Sequence, residues 1–118
     1  MLTGLWLDSY TNMYFSTSSE LDIDHLVPLK YAWTRGAYNW SKSKRVKFSN
    51  DESNLFAVKK SVNRQKSAMG PAMWLPPNDN FKCEYIKLFQ GIVTKYDLRQ
   101  ADDELSYINI KMDKFCVN

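Results

Sequence analysis

The pattern of apolar and polar positions predicts a β-hairpin at the start of the chain. Residues 5–7 and 13–15 are apolar, and residues 8–12 between them are polar and turn-forming. We therefore expect two short strands joined by a turn within residues 4–15.

Two further strands follow from the same kind of pattern. Residues 21–27 alternate apolar and polar side chains with the period of a half-buried strand, and Pro28 ends the run. Residues 54–58 form a second short apolar run with β-forming side chains. The sequence between these two strands is predicted to form a long connection that contains helical stretches.

Helical stretches are predicted at five places, three of them in the middle of the chain. Gly36 separates stretches near 29–35 and 41–49, and Ser41 is a candidate N-cap for the second. Ser61 predicts the start of a helix over about 61–69, which Gly70-Pro71 would end.

The last third of the chain predicts two core-forming helices, over about 79–96 and 102–116. Apolar residues recur there at helical spacing, and Asn78 or Asp79 can cap the first. The elements together predict one α+β domain over residues 1–118.

The net charge of +3 averages over regions of opposite sign. Residues 1–29 carry four acidic residues and no Lys or Arg, whereas residues 30–66 carry ten of the 16 basic residues and two acidic ones. A basic block with interleaved aromatic side chains suits a polyanion such as nucleic acid, although a solvated surface has the same composition.

Two cysteines, Cys83 and Cys116, and a single histidine exclude a conventional structural zinc site, which needs four nitrogen or sulfur ligands. A disulfide would form only if the last two helices pack together. For a cytosolic protein we expect two reduced thiols instead.

The histidine, His25, directly follows Asp24 inside a predicted strand. Neighbouring strand residues point to opposite faces, so these two side chains can meet one ligand only if the strand bends or bulges. Imidazole is the side chain whose ordinary pKa lies nearest neutral pH, which makes His25 the candidate general base.

Several blocks of sequence occur in an order typical of one nuclease family. The chain resembles HNH, or ββα-metal (His-Me finger), endonucleases, and is most similar to the bacterial and phage branch that carries these blocks. The resemblance runs from about Trp6 to Leu98. It rests on DIDHLVPL (22–29), WTRGAYNW (33–40), NLFAV (54–58), NRQK (63–66) and WLPPN (74–78), with Asn63 nine positions after Asn54.

The resemblance implies a small ββα-metal core at about residues 20–70, an N-terminal hairpin and C-terminal packing helices. His25 takes the family's base position, and Asn54 would orient it. Asp24 and Asn63 would bind one divalent cation, for which their oxygen ligands favour Mg²⁺ or Mn²⁺. Asp22 is a candidate outer ligand.

The implied activity is hydrolysis of DNA phosphodiester bonds with low sequence specificity, on double- or single-stranded DNA. Basic residues would bind phosphates. The candidates are Arg64, Lys66, Lys30, Arg35, Lys59 and Lys60, with Lys42, Lys44, Arg45 and Lys47 on the wider surface. The alternatives are a DNA-binding or accessory module of a phage or defence complex with little cleavage, and a nuclease acting on RNA.

The chain is expected to be a monomer or weak dimer with no membrane association. Residues 1–6 show neither the basic nor the apolar region of a secretory signal. We expect a cytoplasmic protein if the chain is complete and a secreted one if a leader has been removed.

Overall fold

The computed structural model, which describes residues 5–117, forms the predicted hairpin from β1 (Trp6–Asp8) and β2 (Met13–Phe15). Its turn is closed by the buried Asp8 carboxylate, which accepts hydrogen bonds from the Tyr10 amide and the Thr11 hydroxyl. Residue 4, where the prediction began, lies outside the described residues.

The second sheet pairs β3 (Leu21–His25) with β4 (Leu55–Lys59) in antiparallel register. Leu21 lies opposite Lys59 and His25 opposite Leu55, with one-to-one pairing between these ends. The two predicted strands are confirmed, and the pairing joins residues 30 to 38 positions apart.

The connection between these strands contains α1 (Leu29–Thr34) and α2 (Lys42–Ser49). Short 3₁₀ turns follow each helix, at Ala37–Asn39 and Glu52–Asn54. Ser41 is the N-cap of α2, as predicted, because its hydroxyl accepts a hydrogen bond from the Lys44 amide.

After β4 the chain enters α3 (Lys60–Lys66), which contacts both β3 and β4. This helix is shorter than predicted, and Lys59 rather than Ser61 precedes it. It ends at Lys66, since the next residue, Ser67, has a φ of 51°, which a right-handed helix cannot contain. Three residues later, Gly70 passes so close to Tyr31 that a Cβ atom would lie 2.5 Å from its ring.

Helices α4 (Asp79–Lys95) and α5 (Asp102–Phe115) form close to the predicted bounds. Asn78 caps α4 through its side-chain oxygen, while its own amide groups donate to the backbone of Ser9 and Tyr10. The start of α4 is thereby attached to the hairpin turn.

Aromatic rings pack together in the part of the core where the hairpin meets α1 and α4. The fully buried Tyr10 ring packs edge-on against Tyr85, and Tyr31 packs edge-on against Phe89. Within residues 5–117 the structure therefore has two two-stranded antiparallel sheets and five α-helices, which confirms the predicted α+β class.

Helices α4 and α5 are joined covalently by a disulfide between Cys83 and Cys116. The expectation of reduced thiols was wrong for this structure, because packing of the two helices brings the Cα atoms to 5.0 Å, within disulfide range. No helix within residues 5–117 has the length and apolar character needed to cross a bilayer.

Reduction of this disulfide is expected to destabilise the fold. The bond closes a span of 33 residues, and the chain-entropy relation for a loop of that length gives roughly 3–4 kcal/mol. Urea unfolding with and without a reductant measures the difference. The double variant Cys83→Ser/Cys116→Ser should show no response to reductant, and equal stability of the oxidised and reduced wild type would contradict the prediction.

Candidate active site

The backbone that follows His25 is held by Asn54, which is fully buried at the end of the 3₁₀ turn before β4. Its side-chain oxygen accepts from the Val27 amide at 2.8 Å, and its side-chain NH₂ donates to the Val27 carbonyl at 3.1 Å. The Asn54 carbonyl also accepts from the Leu26 amide. Asn54 therefore fixes the path of the backbone at Leu26 and Val27, directly after His25.

The His25 ring is oriented by the end of α2. Its Nε2 lies 2.9 Å from the carbonyl oxygen of Ser49, one of the terminal helix carbonyls that lack an intrahelical partner. A carbonyl oxygen can only accept, so Nε2 must carry the hydrogen. In the neutral ring Nδ1 is then the nitrogen with a free lone pair, as a general base requires.

Asp24 and His25 lie on opposite faces of β3. The register through Asp24–Phe56 and His25–Leu55 is unbroken, so the bend or bulge that would bring both side chains to one face does not occur there. Asp24 is buried towards α3, and the His25 ring is half-buried against α2.

The Asp24 carboxylate is already bound by two protein groups. The Lys66 ammonium lies 3.2 Å and 3.0 Å from its two oxygens, and the Tyr10 hydroxyl donates to Oδ2 at 2.7 Å. Lys66 also donates to the His25 carbonyl at 2.9 Å, so the ammonium joins the Asp24 carboxylate to the backbone of the next residue.

Lys66 therefore does not lie on the phosphate surface where the sequence predicted it. Its side chain is fully buried, because the third helical position after Asn63 faces Asp24 instead of solvent. Burial lowers the pKa of Lys66, and the neighbouring Asp24 charge opposes that shift.

Asp22 is the carboxylate that meets Asn63. The Asn63 side-chain nitrogen lies 3.4 Å from Asp22 Oδ2, and both residues are half-buried between β3 and α3. Rotation of the amide by 180° would present the Asn63 oxygen instead. In the structure Asn63 therefore contacts Asp22, which was predicted as an outer ligand of the cation. Asp24, the predicted direct ligand, contacts Lys66 instead.

The Asp22–Asn63 pair fits a hard divalent cation by its chemistry and spacing. Neighbouring oxygen ligands of octahedral Mg²⁺, each ~2.1 Å from the ion, lie about 3 Å apart. Within residues 5–117 no three His, Cys, Asp or Glu side chains cluster as a metal cage. A cation here would keep several waters, which Mg²⁺ does readily.

Arg35 does not form part of the predicted phosphate surface. Its guanidinium makes two 2.9 Å bonds to the Glu104 carboxylate and lies 3.5 Å from the centre of the Tyr31 ring. Tyr31 donates to the same carboxylate. The contacts among Arg35, Tyr31 and Glu104 join α1 to α5. The Arg35 guanidinium is therefore bound to a carboxylate of the protein and not available to a phosphate.

The other predicted phosphate ligands remain at the surface. Lys30 and Arg64 are exposed, and Lys59 and Lys60 are half-buried at the junction of β4 and α3. Lys59 lies 5.8 Å from the centre of the Phe15 ring, next to the hairpin.

Three contacts at the site had no signal in the sequence. Tyr10 comes from the hairpin turn, Ser49 contributes only its backbone oxygen, and Asp51 anchors the turn that carries Asn54. The Asp51 carboxylate accepts from Ser53, from Lys95 at 2.7 Å and from the Tyr96 hydroxyl at 2.6 Å. Only tertiary structure brings these groups to the site.

Comparison with known proteins places the chain among nuclease-related domains. It belongs to the family of C-terminal domains of GmrSD restriction endonucleases, whose family model matches residues 1–108. An uncharacterized secreted protein of Arthroderma benhamiae is 39% identical over 106 residues, covering 88% of this chain and 52% of the relative. The chain therefore spans about half the length of that relative. No solved structure matches.

Replacing Lys66 by Met is expected to cost about 3–5 kcal/mol of unfolding free energy, because Asp24 would be left buried without its counter-charge. The double variant Asp24→Asn/Lys66→Met should recover much of that loss. Urea unfolding of the two single variants and the double variant measures the coupling. Additive losses would show that the two side chains do not interact.

Asp51 should contribute to the acid sensitivity of the fold. The Lys95 ammonium, then Ser53 and Tyr96, hold the pKa of Asp51 below its ordinary 3.8. Because the folded-state pKa is the lower one, this stabilisation is present above about pH 4 and is lost as the pH falls further. Asp51→Asn should flatten the loss of stability between pH 5 and 2 in urea unfolding, and an unchanged pH profile would contradict this.

Proposed function

We propose that the protein is a metal-dependent HNH-type endonuclease that hydrolyses DNA phosphodiester bonds with low sequence specificity. The observation that carries the proposal is the fixed His25 ring, whose Nε2 is bound to the Ser49 carbonyl and whose Nδ1 is left to accept a proton. Membership of a restriction endonuclease family supports a nuclease role and a DNA substrate.

In this proposal His25 Nδ1 takes the proton of the attacking water. Asn54 keeps the ring in place indirectly, since it binds the backbone of residues 26 and 27 from both sides. The Ser49 carbonyl at the end of α2 holds the Nε2–H of the ring, which leaves Nδ1 to act. Imidazole bases of this kind contribute typically 10²–10⁴-fold to a reaction rate.

Asn63 and Asp22 would hold the divalent cation, Mg²⁺ or Mn²⁺. Asp24, the ligand expected from the sequence, can join them only by exchanging an oxygen now bound to Lys66 or Tyr10. A bound cation would supply positive charge to the phosphate oxygens and to the leaving 3′ oxygen. Arg64 and Lys30 are exposed, and in this proposal they would bind flanking phosphates.

A second function, nucleic-acid binding with little cleavage, is favoured by one observation. Both oxygens of Asp24 are occupied by Lys66 and Tyr10. A module that only binds nucleic acid would need the basic surface, and its Asp24 carboxylate could remain bound to Lys66 and Tyr10. RNA is an alternative substrate for either function.

We also propose that the protein works in an oxidising, extracytoplasmic compartment. Disulfides persist in such compartments and are rare in the cytosol, and this fold contains the Cys83–Cys116 bond. The relative from Arthroderma benhamiae is described as a secreted protein.

Supercoiled plasmid should be cleaved in the presence of Mg²⁺ or Mn²⁺ and left intact in EDTA. His25→Ala should lower the cleavage rate by at least about 100-fold, because the general base is removed. Tyr107→Ala, an exposed change on α5, is the matched control and should cut normally.

Calorimetric titration with Mn²⁺ separates the two parts of the mechanism. His25→Ala should still bind the ion, while Asn63→Ala should bind it more weakly. Cleavage that survives EDTA, or that is unchanged in His25→Ala, would overturn the proposed chemistry and favour a contaminating nuclease or another site.

A further inference from the structure

A cleft of about 310 Å³ lies between α1, the turn that follows it and α2. Its walls are mainly apolar and partly aromatic, and two cationic side chains border it. The wall residues that matter here are Leu29, Trp33, Trp40 and Val46, and the cations are Lys42 and Arg45.

The outer wall of this cleft, here called the Trp33 cleft, leaves large apolar side chains in contact with water. Trp33 is 47% exposed, and Leu29 and Val46 are each 48% exposed. Trp40 differs, because its ring packs on Phe48 at 5.5 Å and forms the floor. Adjacent exposed apolar groups of this size are typical of a binding surface.

Positive charge surrounds the aromatic wall. Helix α2 carries four cations and no acidic residue. The Arg45 guanidinium lies 5.3 Å from the centre of the Trp33 ring, and the Lys44 ammonium lies 4.5 Å from that of Trp40. The combination of a flat aromatic face with cations beside it suits an aromatic ligand attached to an anion.

The Trp33 cleft shares one residue with the surroundings of the proposed general base. Ser49 lines the cleft, and its carbonyl oxygen is the atom that binds His25 Nε2. A nucleobase in the cleft would therefore lie next to Ser49, the residue that orients the His25 ring.

We propose that the Trp33 cleft binds one unstacked nucleobase of the substrate, with the base against Trp33 and a neighbouring phosphate on Arg45 or Lys42. The inference rests on the proposed nuclease function and adds a substrate preference to it. Bases inside a duplex are stacked and paired, so the cleft favours single-stranded or locally opened nucleic acid.

Binding without cleavage tests this directly. His25→Ala protein in EDTA is titrated with three fluorescent probes, namely a single-stranded oligonucleotide, its abasic counterpart and the matching duplex. The normal single strand should bind at least about fivefold more tightly than the abasic strand, the lower end of the effect of one base stacked on an aromatic side chain.

A further change of Trp33→Ala should abolish that discrimination, whereas Trp33→Phe should retain most of it because a flat ring remains. Tyr107→Ala, added to the same background, should have no effect. Deoxy and ribo forms of the single strand are both titrated, and discrimination against the abasic probe with either sugar supports the cleft.

Equal binding of normal and abasic strands, or discrimination that survives Trp33→Ala, would overturn the inference. Because no cleavage is measured, these results do not depend on whether the protein cuts DNA. Base-dependent binding with no plasmid cleavage would support the cleft and overturn only the proposed hydrolysis.

Discussion

The buried contact of Lys66 with Asp24 is the interaction on which the rest of the site depends. It joins α3 to β3, and Tyr10 adds the hairpin turn to the same carboxylate. Taking an ammonium and a carboxylate out of water is expensive, and here the charges of the two groups are paired while Lys66 also donates to Asp24 and to a backbone carbonyl. One of these acceptors is the carbonyl of His25, so the ion pair also fixes the backbone of the candidate base.

The segment from Asp24 to Val27 is held from three directions as a result. Lys66 binds it from α3, Asn54 binds it from the turn before β4, and the Ser49 carbonyl at the end of α2 orients the His25 ring. Such a segment can keep a ring nitrogen in place without further rearrangement, which is what general-base catalysis requires. Asp51 extends this support to α4, because it anchors the turn that carries Asn54.

Positive charge and exposed aromatic surface converge on one side of the molecule through the same elements. Helix α2 ends at Ser49, which binds His25, and its cations border the Trp33 cleft. The basic block of the sequence is therefore divided by the fold. Part of it remains on the surface, whereas Lys66 and Arg35 are used internally, against Asp24 and Glu104.

The sequence by itself determined the α+β class, the two strands around His25 and Asn54, the Ser41 cap and the two C-terminal helices. These depend on local periodicity, capping and turn chemistry, which act over a few residues. It did not determine the partners of the site residues. Asp22 rather than Asp24 meets Asn63, Lys66 is buried, and Cys83 pairs with Cys116. Those outcomes depend on how α3 crosses β3 and how α5 packs on α4. Contacts between residues 33 to 42 positions apart leave no periodic signal in the chain, so only the tertiary structure decided them.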